Sequence, residues 1–452
     1  MNLHLSNELT ITEAPLQLVH EIRERLNIRN PKYDELEKMN RWTGDTPEFL
    51  RFYSQGTDWI RTPRGYISQV IAWCRRENIR FEIIDRRRTL PPVDFEFRGS
   101  LKPFQEEALE LILKKDFGTL SSPTGSGKTV IALAAVARRK QPALVIVHTK
   151  ELLNQWTERI GNFLDVPVKE IGRIGAGKFS IGDRLTVGIV NSIYGRGEEI
   201  KKHIGFVIAD ECHRTPSRTF TEAVSSFDCK FTLGLSATPW RRDKLSRLIY
   251  WFVGNVVHKI EQHELIREGH ILPVDVIERE TSFQTNYDPV EEYPQMLSEL
   301  TQDPERNLQI CTDVYFAAQQ TGNGICLILT DRKQHCDELR KILLKKFRID
   351  SDLLTGDLSK SDRESVVRNL NAGKTKVLIA TGQLIGEGFD CKALTTLFLA
   401  TPIRFNGRLL QYIGRVMRSA RGKDRAVVYD YIDQFVPVLV ASARARRRVY
   451  EN

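Results

Sequence analysis

At 452 residues the chain is longer than one hydrophobic core organises, so about two or three domains are expected. A composition of 41% hydrophobic and 28% charged residues excludes an extended disordered protein, and no apolar run is long enough to span a bilayer. The net charge of +9 is concentrated towards the end, where eleven Arg and Lys face four Asp and Glu from Thr401 onward; this favours a polyanionic partner, nucleic acid first.

The first segment, residues 1–98, reads as a small α/β domain. Its start, Met1-Asn2-Leu3-His4-Leu5, lacks the basic and apolar parts of an export signal, so a cytoplasmic location without membrane association is expected. Leu16, Val19, Ile22 and Leu26 have helical spacing, Pro47 to Tyr53 and Ile67 to Cys74 also read as helical, and Arg80 to Asp85 alternates like a strand. Trp42, Phe49, Arg51, Phe52, Tyr53, Trp59, Arg61, Arg64 and Tyr66 interleave aromatic and basic side chains. Such a set either stacks on bases and pairs with phosphates or forms a domain core with arginines at its rim. Arg86-Arg87-Arg88 followed by Pro91-Pro92 reads as a basic linker.

From residue 99 to 259, short continuous apolar runs alternate with helical stretches: Thr119 to Ser121, Ala143 to Val147, Val187 to Val190, Phe206 to Ala209 and Phe231 to Leu235. Runs of this kind suit a parallel sheet covered on both faces. After the first comes Ser121-Ser122-Pro123-Thr124-Gly125-Ser126-Gly127-Lys128-Thr129, then the helical Val130 to Val136. Strand, glycine turn, lysine, hydroxyl and helix is the layout of a phosphate-binding loop, although Ser122 stands where the full pattern has glycine. Backbone N–H groups around Thr124, Gly125, Ser126 and Gly127 would face a triphosphate, Lys128 would reach its outer phosphates, and Thr129 would hold Mg²⁺. Asp210-Glu211 follows the run ending at Ala209, where a doubly wound sheet presents its ligand site. There Asp210 would hold Mg²⁺ and Glu211 would deprotonate water. Ser236 and Thr238 end the next run and could relay the state of that site.

Residues 260–322 read as a connection with an entering helix. The strand and helix alternation resumes in residues 323–452, with Cys326 to Thr330, Lys376 to Ala380, Thr396 to Ala400 and Ala426 to Tyr429. The expected fold is therefore α/β, with two doubly wound parallel-sheet lobes in tandem after a small α/β domain. On a helix, Gln411, Arg415 and Arg418 share one face, either as a solvated basic face or as arginines that offset charge on a γ-phosphate. The stretch Ala443 to Arg448 is a basic tail. Seven scattered cysteines without a C-x-x-C pair argue against a zinc site and a disulfide framework.

In order, Pro123 to Thr129, Asp210-Glu211-Cys212-His213, Ser236-Ala237-Thr238 and Gln411 to Arg418 resemble motifs I, II, III and VI of the superfamily 2 helicases. Weaker likenesses fall between them: Leu101 to Gln105, His148 to Trp156, Val190 to Tyr194, Leu329 to Arg332, Leu354 to Gly356, and Ala380 to Asp390. The -KPFQ-, -TKELLNQW- and -EGFD- runs look most like the XPB/UvsW-like branch, which also includes restriction motors. The resemblance spans residues 99 to 440 and implies two RecA-like lobes, ATP with Mg²⁺, and movement along one strand. It implies Gln105 as an adenine reader, Gly388 and Asp390 as further nucleotide contacts, and Lys128, Asp210, Glu211, Gln411, Arg415 and Arg418 as the catalytic set. It implies Thr149, Lys150, Ser192, Arg332, Thr355, Gly356 and Thr381 as strand contacts to phosphate and sugar.

The function expected on this basis is an ATP-dependent helicase or translocase acting on single-stranded, duplex or branched DNA. A duplex translocase that does not separate strands, an RNA helicase and an ATP-switched scaffold are the alternatives. No nuclease constellation is present, and nothing in the sequence identifies protein partners.

Overall fold

The computed structural model describes residues 1–214, 218–237, 245–320, 324–382, 391, 393–403, 406–417 and 423–450, a few of them, Gln411 included, by backbone only. The chain forms two compact units: Met1–Pro123 with Gly127–Ile260, and Glu261–Asn452 with Thr124–Ser126.

The first unit is built on an eight-stranded sheet in the order Lys178–Ser180, Gly172–Gly175, Leu185–Ile189, Ala143–Val147, Phe206–Ala209, Phe231–Ser236, Phe117–Ser121, Val256–Lys259. Every pairing is parallel except that of the outer hairpin Gly172–Ser180. Ala143–Val147 and Phe206–Ala209 are buried along their whole length, as strands covered on both faces must be. The helix Lys128–Arg139 supplies part of that cover through Ile131 to Ala137.

Ahead of it lies a five-stranded sheet in the order Ser54–Gln55, Trp59–Pro63, Glu8–Thr12, Asn2–Leu5, Glu82–Asp85, with the helices Leu16–Arg25 and Ile67–Arg76. Its core is not closed on itself. Leu3, Ile11, Ile22 and Val70 share one cluster with Leu245, Leu248 and Trp251, of which the last two lie on the helix Ser246–Phe252. The buried Arg64 donates to the Cys229 carbonyl at 2.9 Å and also to the Thr232 hydroxyl. The basic linker is tied down as well. Arg87 pairs with Asp85 at 2.7 Å and Asp116 at 2.8 Å, and Arg88 pairs with Asp228 at 2.7 Å.

The aromatic and basic set of this domain divides in two. Tyr66 is buried and Phe52 and Tyr53 pack against the core, whereas Trp42 and Phe49 are exposed. The helix expected over Pro47 to Tyr53 is a strand, Phe49–Arg51, paired antiparallel with Asn27–Arg29. Backbone partners supplied by that neighbouring strand override a local apolar spacing that fits either element.

The second unit carries a six-stranded, wholly parallel sheet in the order Val274–Thr281, Ala426–Asp433, Leu394–Leu399, Ile325–Thr330, Val377–Thr381, Asp352–Leu354. Residues 260–322 do more than connect: Val274–Thr281 pairs along its full length with Ala426–Asp433, and the helices Tyr293–Gln302 and Pro304–Gln320 follow. A buried ion pair joins this stretch to the rest of the unit. Arg306 donates to Asp433 at 2.7 Å and to the Ala400 carbonyl at 2.6 Å, and the Thr281 hydroxyl donates to Asp433 at 2.7 Å. In the basic tail, Arg446 is buried against Asp430 at 2.7 Å and Arg447 pairs with Glu278. All seven cysteines are buried and free. Among the described residues no helix is long and apolar enough to cross a membrane.

Candidate active site

The glycine loop leaves the strand Phe117–Ser121 and enters the helix Lys128–Arg139. Gly125 and Gly127 have φ of 92° and 87°, a region that side chains with a Cβ avoid. A Cβ on Gly127 would also stand 2.4 Å from Gln105 Nε2, so the loop closes directly onto Gln105. That glutamine lies in the helix Pro103–Leu113 and is itself held, its Oε1 accepting from Lys102 N–H at 2.9 Å. Lys128 Nζ donates to the Ser122 and Pro123 carbonyls at 2.8 and 3.3 Å. Its ammonium therefore sits over the loop, where phosphate oxygens would replace carbonyls. Thr129 follows in the first turn of the same helix.

The acidic pair follows the strand Phe206–Ala209. Asp210 is buried, and two donors from different elements fix its carboxylate. Oδ1 accepts from Glu211 N–H at 3.0 Å, and Oδ2 accepts from Trp156 Nε1–H at 2.7 Å. Burial first, and then the adjacent Glu211 charge, push the Asp210 carboxyl up to about 6; the Trp156 bond and Lys128 oppose them. Glu211 has φ of 49°, a strained value for a residue with a side chain. It turns Oε2 to 3.1 Å from His213 Nδ1, and that nitrogen lies 3.4 Å from the Ser236 hydroxyl. The Ser236 carbonyl accepts from Ser122 N–H at 2.9 Å. Ser236 thus touches both the loop and the acidic segment.

Among the described residues no group of three or more His, Cys, Asp or Glu could hold a metal alone. A single fixed carboxylate, with the loop's Lys128 near enough to act on its charge, fits a divalent cation that brings phosphate and water ligands with it, as Mg²⁺ does with a nucleotide.

The other expected residues line the carboxyl ends of the parallel strands. Thr149 and Lys150 follow Ala143–Val147, and Ser192 follows Leu185–Ile189. Thr149 Oγ1 caps the helix Lys150–Phe163 by accepting from Leu152 N–H at 3.3 Å. In the second unit Arg332 follows Ile325–Thr330, Thr355 and Gly356 follow Asp352–Leu354, and Thr381 ends Val377–Thr381. Arg332 donates to the Pro294 carbonyl at 3.2 Å. The helix Asn406–Val416 carries the buried Arg415 and is fastened to Gly382 by the Tyr412 hydroxyl at 2.7 Å. Thr238, Gly388, Asp390, Arg418 and the Gln411 side chain lie outside the described residues.

Two residues of the site were missed. Trp156 reads in sequence as one more apolar position of an amphipathic helix, and no spacing rule points its indole at Asp210. His213 had a weak signal in its place two residues after the acidic pair.

Known proteins are similar to this chain in sequence and in fold. The family described as "Type III restriction enzyme, res subunit" matches residues 98–241, and "Helicase conserved C-terminal domain" matches residues 306–420. The chain is 28% identical over 355 residues to "DNA 3'-5' translocase XPB2" of Sulfurisphaera tokodaii, covering 71% of this chain and 79% of that protein. It is 25% identical over 378 residues to "Probable helicase D10" of Escherichia phage T5, covering 83% of this chain and 80% of that one. In fold it is similar to the Pyrococcus furiosus Hef helicase domain, with a TM-score of 0.52 and 13% identity over 76% of this chain and 98% of that one. Two parallel-sheet lobes, a glycine loop and an acidic pair on the first of them, and both family matches in tandem lead to one assignment: the chain belongs to the superfamily 2 helicases, in their XPB-like and type III restriction-motor-like branch.

Proposed function

We propose that the protein is an ATP-driven motor that moves along a DNA strand and unwinds or remodels duplex and branched DNA. The observation that carries this reading is the gathering of Lys128, Gln105, Asp210 and Glu211 at the carboxyl edge of one parallel sheet, with Thr149, Lys150 and Ser192 on the same edge. Nucleotide chemistry and strand contact then share one rigid frame.

In this reading Gln105 reads the base, the loop N–H groups and Lys128 hold the phosphates, and Thr129 and Asp210 hold Mg²⁺. The cation supplies charge neutralisation at the β- and γ-phosphates when it is bound. Glu211 accepts the proton of the attacking water, with His213 fixing its carboxylate. Gln411, Arg415 and Arg418 carry the chemistry that offsets charge developing on the γ-phosphate. Ser236 and Thr238 couple the site to strand contacts. Those contacts are made by Thr149, Lys150, Ser192, Arg332, Thr355, Gly356 and Thr381 with phosphate and sugar, so binding is largely blind to base sequence.

DNA is favoured over RNA by the likeness to a relative named as a DNA translocase, which also keeps translocation without strand separation as the second reading. Strand displacement on forked DNA and on matched forked RNA, with ATP, tests both. Displacement of DNA alone supports the proposal. ATP-dependent movement on DNA without displacement supports the second reading, and displacement of RNA alone overturns the DNA assignment.

A further inference from the structure

The helix Lys150–Phe163 links two sites. Its cap Thr149 and first residue Lys150 are proposed strand contacts, and two turns later its buried face brings Trp156 to Asp210. Residues seven apart lie on one face of a helix, about 10 Å along its axis. Trp156 is 2% exposed, and its only polar atom is spent on the Asp210 carboxylate at 2.7 Å. The second oxygen of that carboxylate is held by the Glu211 amide at 3.0 Å. A shift or tilt of the helix on strand binding therefore reaches Asp210 through one hydrogen bond, while the Glu211 amide restrains the other oxygen.

We propose that Trp156 is a positioning residue that couples strand engagement at Thr149 and Lys150 to the carboxylate of Asp210. This rests on the motor reading above and adds to it a specific connection within the first unit. The neighbouring buried residues of the helix, Leu152, Leu153, Thr157 and Ile160, offer no equivalent bond to Asp210, so the connection runs through the indole N–H. Coupling between two binding sites is reciprocal. If strand binding alters the metal-nucleotide site through Trp156, Mg²⁺–nucleotide binding alters strand affinity through the same bond.

The test measures the affinity for fluorescent single-stranded DNA by anisotropy, without nucleotide and with a non-hydrolysable Mg²⁺–ATP analogue. The full chain is used as wild type, as Trp156→Phe, and with Trp156 replaced by β-(3-benzothienyl)alanine. The last keeps the bicyclic ring and loses only the N–H, so the core stays filled. In the wild type the nucleotide is expected to change strand affinity by roughly fivefold or more, a usual size for coupled sites. In both variants this ratio falls to about one, and rescue is absent in the isosteric ring. A benzothienyl variant that keeps the wild-type ratio overturns the proposal. A wild type whose strand affinity ignores the nucleotide overturns the motor reading itself, and the inference with it.

Discussion

Tyr66 stands edge-on against Trp251, with ring centroids 6.0 Å apart and planes at 81°. The first residue belongs to the N-terminal domain and the second to the helix after the Ser236 segment. The core they share makes the N-terminal domain part of the lobe rather than an appendage. Trp251→Ala should cost about 3–5 kcal/mol, as emptying a large buried aromatic site does. Deletion of residues 1–98 should uncover Leu245, Leu248 and Trp251 and give an aggregating or molten product. Urea unfolding followed by circular dichroism checks the first, and size-exclusion chromatography the second. A role of this domain in strand binding is therefore better tested by substituting exposed residues such as Trp42 than by truncation.

Gly127→Ala should impair nucleotide binding while the rest of the unit stays folded. The added Cβ meets Gln105 Nε2 at 2.4 Å, and a φ of 87° strains any side chain there. Ala at a positive-φ glycine position costs about 1 kcal/mol or more. Here that cost is expected to appear as distortion of the loop and displacement of Gln105. Titration with a fluorescent ATP analogue should show affinity lowered by roughly tenfold, since 1.4 kcal/mol is one decade.

Asp210→Asn should abolish hydrolysis and remove the pH dependence of stability that this carboxyl gives the nucleotide-free protein. Burial and Glu211 raise the Asp210 carboxyl from its ordinary 3.8 to about 6. Between those values the folded state keeps a proton that the unfolded chain has released, so stability falls as pH rises through the window. At pH 7 the charged, buried form is carried at a cost that the amide removes, but the amide also turns an NH2 towards Trp156 Nε1–H or Glu211 N–H, and a buried donor left without an acceptor costs about 1–3 kcal/mol, which offsets the gain. Urea unfolding from pH 7 to pH 4 without Mg²⁺ checks the sign: the wild type should gain stability relative to Asp210→Asn as pH falls through that window.

His335 should act in the opposite sense in the second unit. Burial, and then the Arg306 charge, lower its pKa to about 3, while its two ring nitrogens sit 2.8 Å from Thr330 Oγ1 and Asn307 Oδ1. The unfolded chain takes up a proton near the ordinary 6.5 and the folded state does not until about 3. Stability is therefore lost as pH falls through that range, by at most about 1.4 kcal/mol per pH unit from this one group. His335→Gln should flatten the acid side of the stability profile, measured by urea unfolding from pH 7 to pH 4.

Much of the two lobes was legible because the inner strands of both sheets are parallel and covered. Ala143–Val147, Phe206–Ala209 and Ile325–Thr330 are unbroken apolar runs, and buried parallel strands have that appearance. The loop and acidic pair were legible because each carries its chemistry in adjacent residues. Val274–Thr281 was not legible as a strand. It lies at the edge of its sheet, and its second half, Glu278-Arg279-Glu280, is an unbroken charged run, so it reads as a polar connection. Phe49–Arg51 was misread because its partner strand, Asn27–Arg29, is separated from it by 19 residues, a pairing that periodicity does not report. Trp156 and Trp251 were passed over for a related reason. A lone tryptophan signals burial, and only the fold shows whether its neighbour is Asp210 or Tyr66.

In the motor reading, Glu211 serves a strand-stimulated hydrolysis. The most direct measurement is the ATPase rate of wild type and Glu211→Gln, without nucleic acid and with single-stranded, duplex, forked and four-way DNA. DNA should raise the wild-type rate, and Glu211→Gln should lower the stimulated rate by about 10²-fold or more while nucleotide binding persists. A Glu211→Gln protein that keeps its DNA-stimulated hydrolysis would show that Glu211 does not carry that role.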